Sequence, residues 1–200
     1  DHWEIFHKYF IPQNAIAPKR ESSFITRFPQ TDNELWWWVY STWGVKIPRT
    51  KVCPNHVAPF DAFADAFFAR SPVAVWKASR GFGGKTNLIS LLGMSELVAL
   101  GAFVTILGGS GAQSLRVHET MSEAWHYEGS PKSMLLKDPT KFDTYLKNGA
   151  KARTLMASTK SVRGPHPQRM RLDEIDEMEM NVLTSAQGQP MRKKNKAGEL

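Results

Sequence analysis

The stretch Lys77–Thr86, KASRGFGGKT, decides how this sequence is read. It fits the phosphate-binding pattern G-x-x-x-x-G-K-[ST] at every fixed position but the first, where Ser79 replaces glycine. A bare Gly-Lys-Thr triplet carries little weight, but this run is richer. Gly81, Gly83 and Gly84 let the backbone curl until successive N–H groups face inward, as a cluster of phosphate oxygens requires. Lys85 then brings a point charge to the β and γ phosphates, Thr86 a hydroxyl to magnesium, and the following helix the partial positive charge of its N-terminus. Only the later positions must approach phosphate closely, so Ser79 is tolerable wherever its backbone angles are ordinary. The alternative is a glycine-rich connection carrying an exposed lysine.

The flanks decide between these readings. Val73–Trp76, VAVW, follows Pro72 and predicts a short buried strand. The run TNLISLLGMSELVAL after the loop is apolar on nearly every face and predicts a helix packed inside a layered domain. Ala102–Leu107 predicts the next strand, and Leu115, His118, Met121 and Trp125 fall at helical spacing between about Ala112 and Tyr127. From Glu128 to Gly149 the regular pattern lapses, with DPTKFDTYLKN as a short helix; Ala152–Ser158 and Gln168–Leu172 predict two more strands. Alternating strands and helices make an α/β chain: a mostly parallel sheet with helices on both faces. The uncharged span Leu97–Leu115 is long enough for a bilayer, yet Gly101, Thr105 and the Gly108-Gly109 pair break it into helix end, strand and loop. No membrane partner is expected.

Composition sets wider limits. Two hundred residues, 42% hydrophobic and 22% charged, suffice for a real core. One cysteine, Cys53, excludes a disulfide framework and suits a reducing compartment. The net charge of +7 favours a polyanionic partner, weakly by itself.

An ATPase also needs a strand ending in acids. In RMRLDEIDEM, Arg169–Met178, apolar Met170 and Leu172 lead into Asp173-Glu174, which places the strand end there. Asp173 is the magnesium ligand expected, and Glu174 the general base for the attacking water. Asp176 and Glu177 read as caps of the next helix. The bland alternative is a solvated acidic turn.

Three runs, NHVAPFDAFADAFFARSPVAVWKASRGFGGKT, SVRGPHPQRMRLDEIDEM and SAQGQPM, together resemble the ATPase domain of tailed-phage large terminase subunits. The resemblance covers about Trp36 to Leu200. That family commonly lacks the first loop glycine and carries arginine beside it, matching Ser79 and Arg80. It implies a P-loop NTPase of the RecA-like ASCE class, ATP and Mg2+ as cofactors, and a loop in which Ser79, Arg80, Gly81, Phe82, Gly83, Gly84, Lys85 and Thr86 contact the nucleotide. Arg80 becomes a candidate arginine finger or γ-phosphate switch, catalytic beside Lys85 and Glu174. The implied partners are double-stranded DNA, a portal protein, a small terminase subunit and further copies in a ring, a pentamer by analogy. The implied setting is the host cytoplasm.

The resemblance divides the chain into an adenine-side lid, 1–55, and an ATPase core, 56–200, with a coupling strand and a nuclease domain expected beyond Leu200. His56 and Phe60 in CPNHVAPF are candidates to border the adenine, although Phe60, Phe63 and Phe67 also suit core packing. Cys53 and His56 lack the further ligands that a metal needs. Arg163 stands open between phosphate sensing, DNA contact and turn chemistry. The tryptophans of ELWWWVYSTWGV fit packing better than base stacking, and MRKKNKAG, Met191–Gly198, is a candidate for DNA phosphates. Rival readings are a helicase-like translocase of the same class and a non-hydrolytic nucleic-acid adaptor with a decayed loop.

Overall fold

A computed structural model describes residues 27–51, 53–78, 84–127, 129–156, 158–162 and 164–188. Ser79 to Gly83, Arg163 and the 191–198 tail lie outside the described residues, as do residues 1–26. The described elements are α1 (Asp32–Trp43), α2 (Pro59–Phe67), α3 (Lys85–Ser95), β1 (Phe103–Gly108), α4 (Gly111–Ala124), β2 (Asp143–Tyr145), β3 (Lys151–Leu155), α5 (Thr159–Val162), β4 (Arg169–Asp173) and α6 (Met180–Gln187). A π-helical turn, Glu96–Leu100, continues α3 and ends at Gly101, whose φ is 62°.

The strands form one sheet in the order β2-β3-β1-β4. β1 runs parallel to both β3 and β4, and only β2 is antiparallel. Register pairs Val104 with Ala152 and Arg169, so alternation puts Val104, Ile106, Arg169, Arg171 and Asp173 on one face. That face meets the main core, where Val104 and Ile106 pack with Leu35 and Trp38 of α1, Phe63 of α2 and Met121 of α4. The other face carries Leu107 and Leu155 into a smaller cluster with Val162, Val182 and Ala186 from α5 and α6. The chain is therefore mixed α/β, with helices flanking a mostly parallel sheet.

Local chemistry explains the boundaries. Thr31 caps α1 by accepting from the Glu34 N–H at 3.2 Å, and Gly44 closes it at φ 71°, where a side chain would be strained. Proline opens α2, its missing N–H being one that no helix uses. Ser110 caps α4, whose buried stripe is Ser114, Val117, His118 and Met121, with Trp125 just beyond. Trp43 and Trp125 meet edge to face at 5.1 Å, tying α1 to α4; Trp38 is buried as well. Phe60, Phe63 and Phe67 are all core. Trp37 alone of the Trp36–Trp38 run is largely exposed. Among the described residues, no helix is long and apolar enough to cross a membrane.

Three expectations need correction. Val73–Trp76 is not a strand: among the described residues no ladder partner holds it, Val73 and Val75 are 68% and 69% exposed, and of the four only Trp76 packs on the core. An apolar β-branched run becomes a strand only when a neighbour satisfies its backbone. Asp138–Asn148 is no helix either. Its middle forms β2, and the Leu146 N–H bonds the Ala150 carbonyl at 2.9 Å across a Lys147-Asn148-Gly149 turn. Gly149 takes φ 87°, and the Asn148 side chain accepts from the Ala150 N–H at 2.9 Å, so the three-residue loop closes on a left-handed glycine. Asp176 and Glu177 fall in a 3-10 turn, Ile175–Glu177, and it is Glu179 that precedes α6.

His118 is buried on α4, 3.0 Å from the Thr144 hydroxyl of β2. Burial holds its imidazole below the ordinary 6.5, against the opposing pull of Asp143, the Lys141 backbone and Glu119. The unfolded chain then binds this proton first, so the stability associated with the neutral ring is lost as pH falls below about 6.5. Urea unfolding of the wild type at pH 7.5, 6.5 and 5.5 should show this slope, and His118→Gln should flatten it.

Candidate functional site

Helix α3 starts with an unusual end. Gly84 is its N-cap at φ 54°, so no side chain bonds the first amides, and no acid occupies the first turn. Those N–H groups and the helix dipole face outward together, the arrangement an anion accepts. Lys85 and Thr86 follow, both half-buried, and the Lys85 Nζ donates to the Ala78 carbonyl at 3.2 Å. That bond pins the lysine back along the chain toward the loop's other end. Ser90, one turn on, bonds the carbonyls of Thr86 at 2.7 Å and Val117 at 3.0 Å, fixing α3 against α4.

The acids arrive from the carboxyl end of β4. Asp173 is its last residue, registered with Gly108 at the end of β1. Gly109 turns the chain there and donates to the Asp173 carbonyl at 3.2 Å. A Cβ at Gly109 would sit 2.8 Å from the Glu177 Cβ and 3.0 Å from the Glu174 carbonyl oxygen, so only glycine lets the two turns close up. Burial, then Glu174, push the Asp173 carboxyl up; the Glu174 N–H, bonded to Oδ1 at 3.1 Å, and the Lys85 ammonium pull it back. Lys85 and Asp173 thus lie within electrostatic reach of each other across the end of the sheet. Glu174 has φ 52°, the left-handed region that a non-glycine residue enters at a cost of about 1 kcal/mol or more. At that residue the chain leaves the strand, and the turn Ile175–Glu177 begins.

Chemically, this end of the sheet offers a cation, a hydroxyl, outward amides and a half-buried carboxylate short of positive charge. Among the described residues no group of three or more His, Cys, Asp or Glu could hold a metal by itself. The donor set fits magnesium only in company, because Mg2+ usually binds one or two carboxylates plus substrate phosphates. Thr86 and Asp173 are the residues that would take it. His56 is exposed in the turn before α2, its N–H on the Cys53 carbonyl at 3.0 Å, and among the described residues no contact joins it to Lys85 or Asp173. Phe60, only 1% exposed, is packed against Phe63 and unavailable to a base. The sequence matches no known protein family and no curated protein.

What sequence reading missed is the brace between the two halves. Glu96, in the π-helical turn after α3, is fully buried and reaches Arg171 and Arg169 of β4. Arg171 makes two bonds, one from Nε to Oε2 at 3.2 Å; the Arg169 Nε is 3.0 Å from Oε1 but out of hydrogen-bond alignment. Burial pushes the Glu96 carboxyl up, and Arg171, then Arg169, draw it back. The signal was present: Glu96 is the one charged residue between Lys85 and Arg116, and an acid inside so apolar a run must find a partner or stay neutral.

Two outcomes follow. Glu96→Ala leaves two guanidiniums facing a dry helix and should cost about 3–5 kcal/mol, whereas the double variant Glu96→Leu, Arg171→Leu should recover part of that, measured by a denaturant double-mutant cycle. Glu174→Gly should leave the unfolding midpoint unchanged or higher, although glycine within a regular element normally costs about 0.5–1 kcal/mol. A midpoint that fell as at an ordinary site would deny the strain.

Proposed function

We propose that this chain is the ATP-hydrolysing part of a nucleic-acid motor, of the type found in the large terminase subunits that its sequence resembles. The observation that carries the reading is the convergence of the α3 N-terminus, through Lys85, with Asp173 at the carboxyl end of the adjacent strands. In open α/β sheets ligands bind at that end. The P-loop NTPase fold and the ASCE class belong to this proposal, since a mostly parallel sheet with flanking helices is common to many activities.

In this reading the amides at the start of α3 hold phosphate oxygens, and Lys85 neutralises charge on the β and γ groups. Thr86 and Asp173 hold Mg2+, which when bound withdraws charge from the phosphates. Glu174 accepts a proton from the attacking water as it adds in line to the γ phosphorus, and ADP leaves. Arg80 is the candidate to offset the charge of the transition state. Double-stranded DNA is the proposed substrate of the motion, with portal, small subunit and a ring of copies as partners inside the host cell.

Lys85→Ala should weaken nucleotide binding and lower kcat/KM by about 10²-fold or more. Glu174→Gln should keep nucleotide affinity while turnover drops by about 10²–10⁴. Nucleotide affinity by calorimetry and phosphate release on the same proteins separate the two effects. Turnover that survives Glu174→Gln removes the general-base assignment, and affinity indifferent to Lys85→Ala favours the non-hydrolytic adaptor. Strand separation with no packaging partner present would favour the helicase-like translocase.

A further inference from the structure

The chain's positive charge is concentrated in one segment. Between Gly129 and Leu172 the sequence holds ten Lys or Arg against two Asp or Glu, an excess of eight. The whole chain's excess is seven, so everything outside that segment sums to minus one. In the fold this segment supplies the β2–β3 edge of the sheet, α5 and the approach to β4. Arg169 and Arg171 are spoken for, because they turn to the main-core face and meet Glu96. Lys151 and Arg153 lie on β3 and face the opposite side, and Lys137, Lys141, Lys147 and Lys160 are exposed.

A cavity of about 450 Å³ opens on that opposite face, lined among others by Phe103, Lys151, Arg153, Ser161, Gly164 and His166. Lys151 and Arg153 are two apart on β3, so both point into it. The Lys151 ammonium stands 4.2 Å from the Phe103 ring centroid. Arg153 shares the Asp143 carboxylate at 2.7 Å and bonds the Tyr145 hydroxyl at 3.3 Å, yet its side chain is still 42% exposed, so it is oriented with donors to spare. An apolar floor with an oriented guanidinium and an ammonium above it is the donor set of a phosphodiester site.

We propose that the β2–β3 edge and this cavity form the surface that grips a nucleic-acid backbone without sequence preference. The proposal deepens the motor reading by placing its polyanion, and it puts the grip away from Lys85 and Asp173. The extent of the charge argues for a polymer over a small phosphate: the exposed lysines continue along the hairpin well beyond one cavity, and backbone binding is the sum of many such contacts. An acidic protein is the competing occupant.

The test is a salt series with a fluorescent random-sequence DNA duplex and the 200-residue chain, without nucleotide. Lys151→Gln should lower the slope of log K against log salt by about 0.9, and the pair Lys151→Gln, Lys141→Gln by about twice that. Lys151→Arg should restore the single loss, and Lys46→Ala, outside the segment, should change nothing. An unchanged slope in the pair overturns the surface, as does an equal loss in Lys46→Ala. Polyglutamate of matched charge competing as well as DNA overturns it in favour of the acidic protein. Basal ATP hydrolysis of Lys151→Gln, measured without DNA, separates the two readings. If hydrolysis is absent from wild type while the slope responds, the motor reading fails and this surface stands; hydrolysis with an unresponsive slope gives the reverse.

Discussion

The geometry at the carboxyl end of the sheet depends on one buried carboxylate. Glu96 stands in a π-helical turn, where the widened backbone sets it under the sheet, and both arginines on the inner face of β4 close on it. A charge so placed has no tolerable position except against those guanidiniums, since burial unpaired would cost several kcal/mol. The ion pair therefore works as a register pin. It fixes how far α3 is slid along β4, and so where the helix start carrying Lys85 and Thr86 falls relative to Asp173. Apolar packing alone would leave that sliding coordinate soft, because Leu88, Leu92 and Leu97 would be nearly as content a turn away.

Given that pin, the remaining geometry is set by turns. Gly109 lets the β1–α4 connection lie against the turn after β4, and the Glu174 backbone enters a left-handed conformation to leave the strand. Asp173 thus stays with the strand end and within reach of the lysine, and Glu174 begins the turn. In a continuous strand neighbouring side chains point to opposite faces, and Glu174 would have entered the small cluster of Leu172, Leu107 and α6. The strain is the alternative to burying a carboxylate among apolar side chains.

The sequence made the sheet legible wherever hydrophobic periodicity and a local stop signal coincided. Ala102–Leu107, Ala152–Ser158 and Gln168–Leu172 each align with an observed strand within a few residues, and the α4 stripe follows His118 and Met121. Val73–Trp76 misled because β-propensity describes fitness for a pleated surface, and says nothing of whether a neighbour is present. Strand β2 was hidden by its polarity: within Asp143–Tyr145 only Thr144 is buried, so alternation had almost no contrast, and Asn148-Gly149 was the better clue. At the candidate site, spacing pointed to Lys85, Thr86, Asp173 and Glu174 because phosphate chemistry dictates residue types, and the fold brings Lys85 and Asp173 to the same end of the sheet. The Glu96 brace could not be read this way, because its partners lie about seventy-five residues away and only the fold brings them together.

Charge is partitioned between the two faces of the same short strand. β4 directs Arg169, Arg171 and Asp173 inward, and the turn just before it, at Gly164 and His166, lines the basic cavity on the outer face. From Arg169 to Asp173 the strand extends only about 13 Å at its usual rise. A segment so short, held by β1 along its length and pinned through Glu96, is stiff. Any shift that metal or phosphate imposes on Asp173 must move the strand as a unit or break the Glu96 pair, and the second is far the costlier. The two ends are therefore mechanically one element, with the Asp173 carboxylate at the carboxyl end and cationic surface beside the amino end, so that a ligand held at one end is felt at the other.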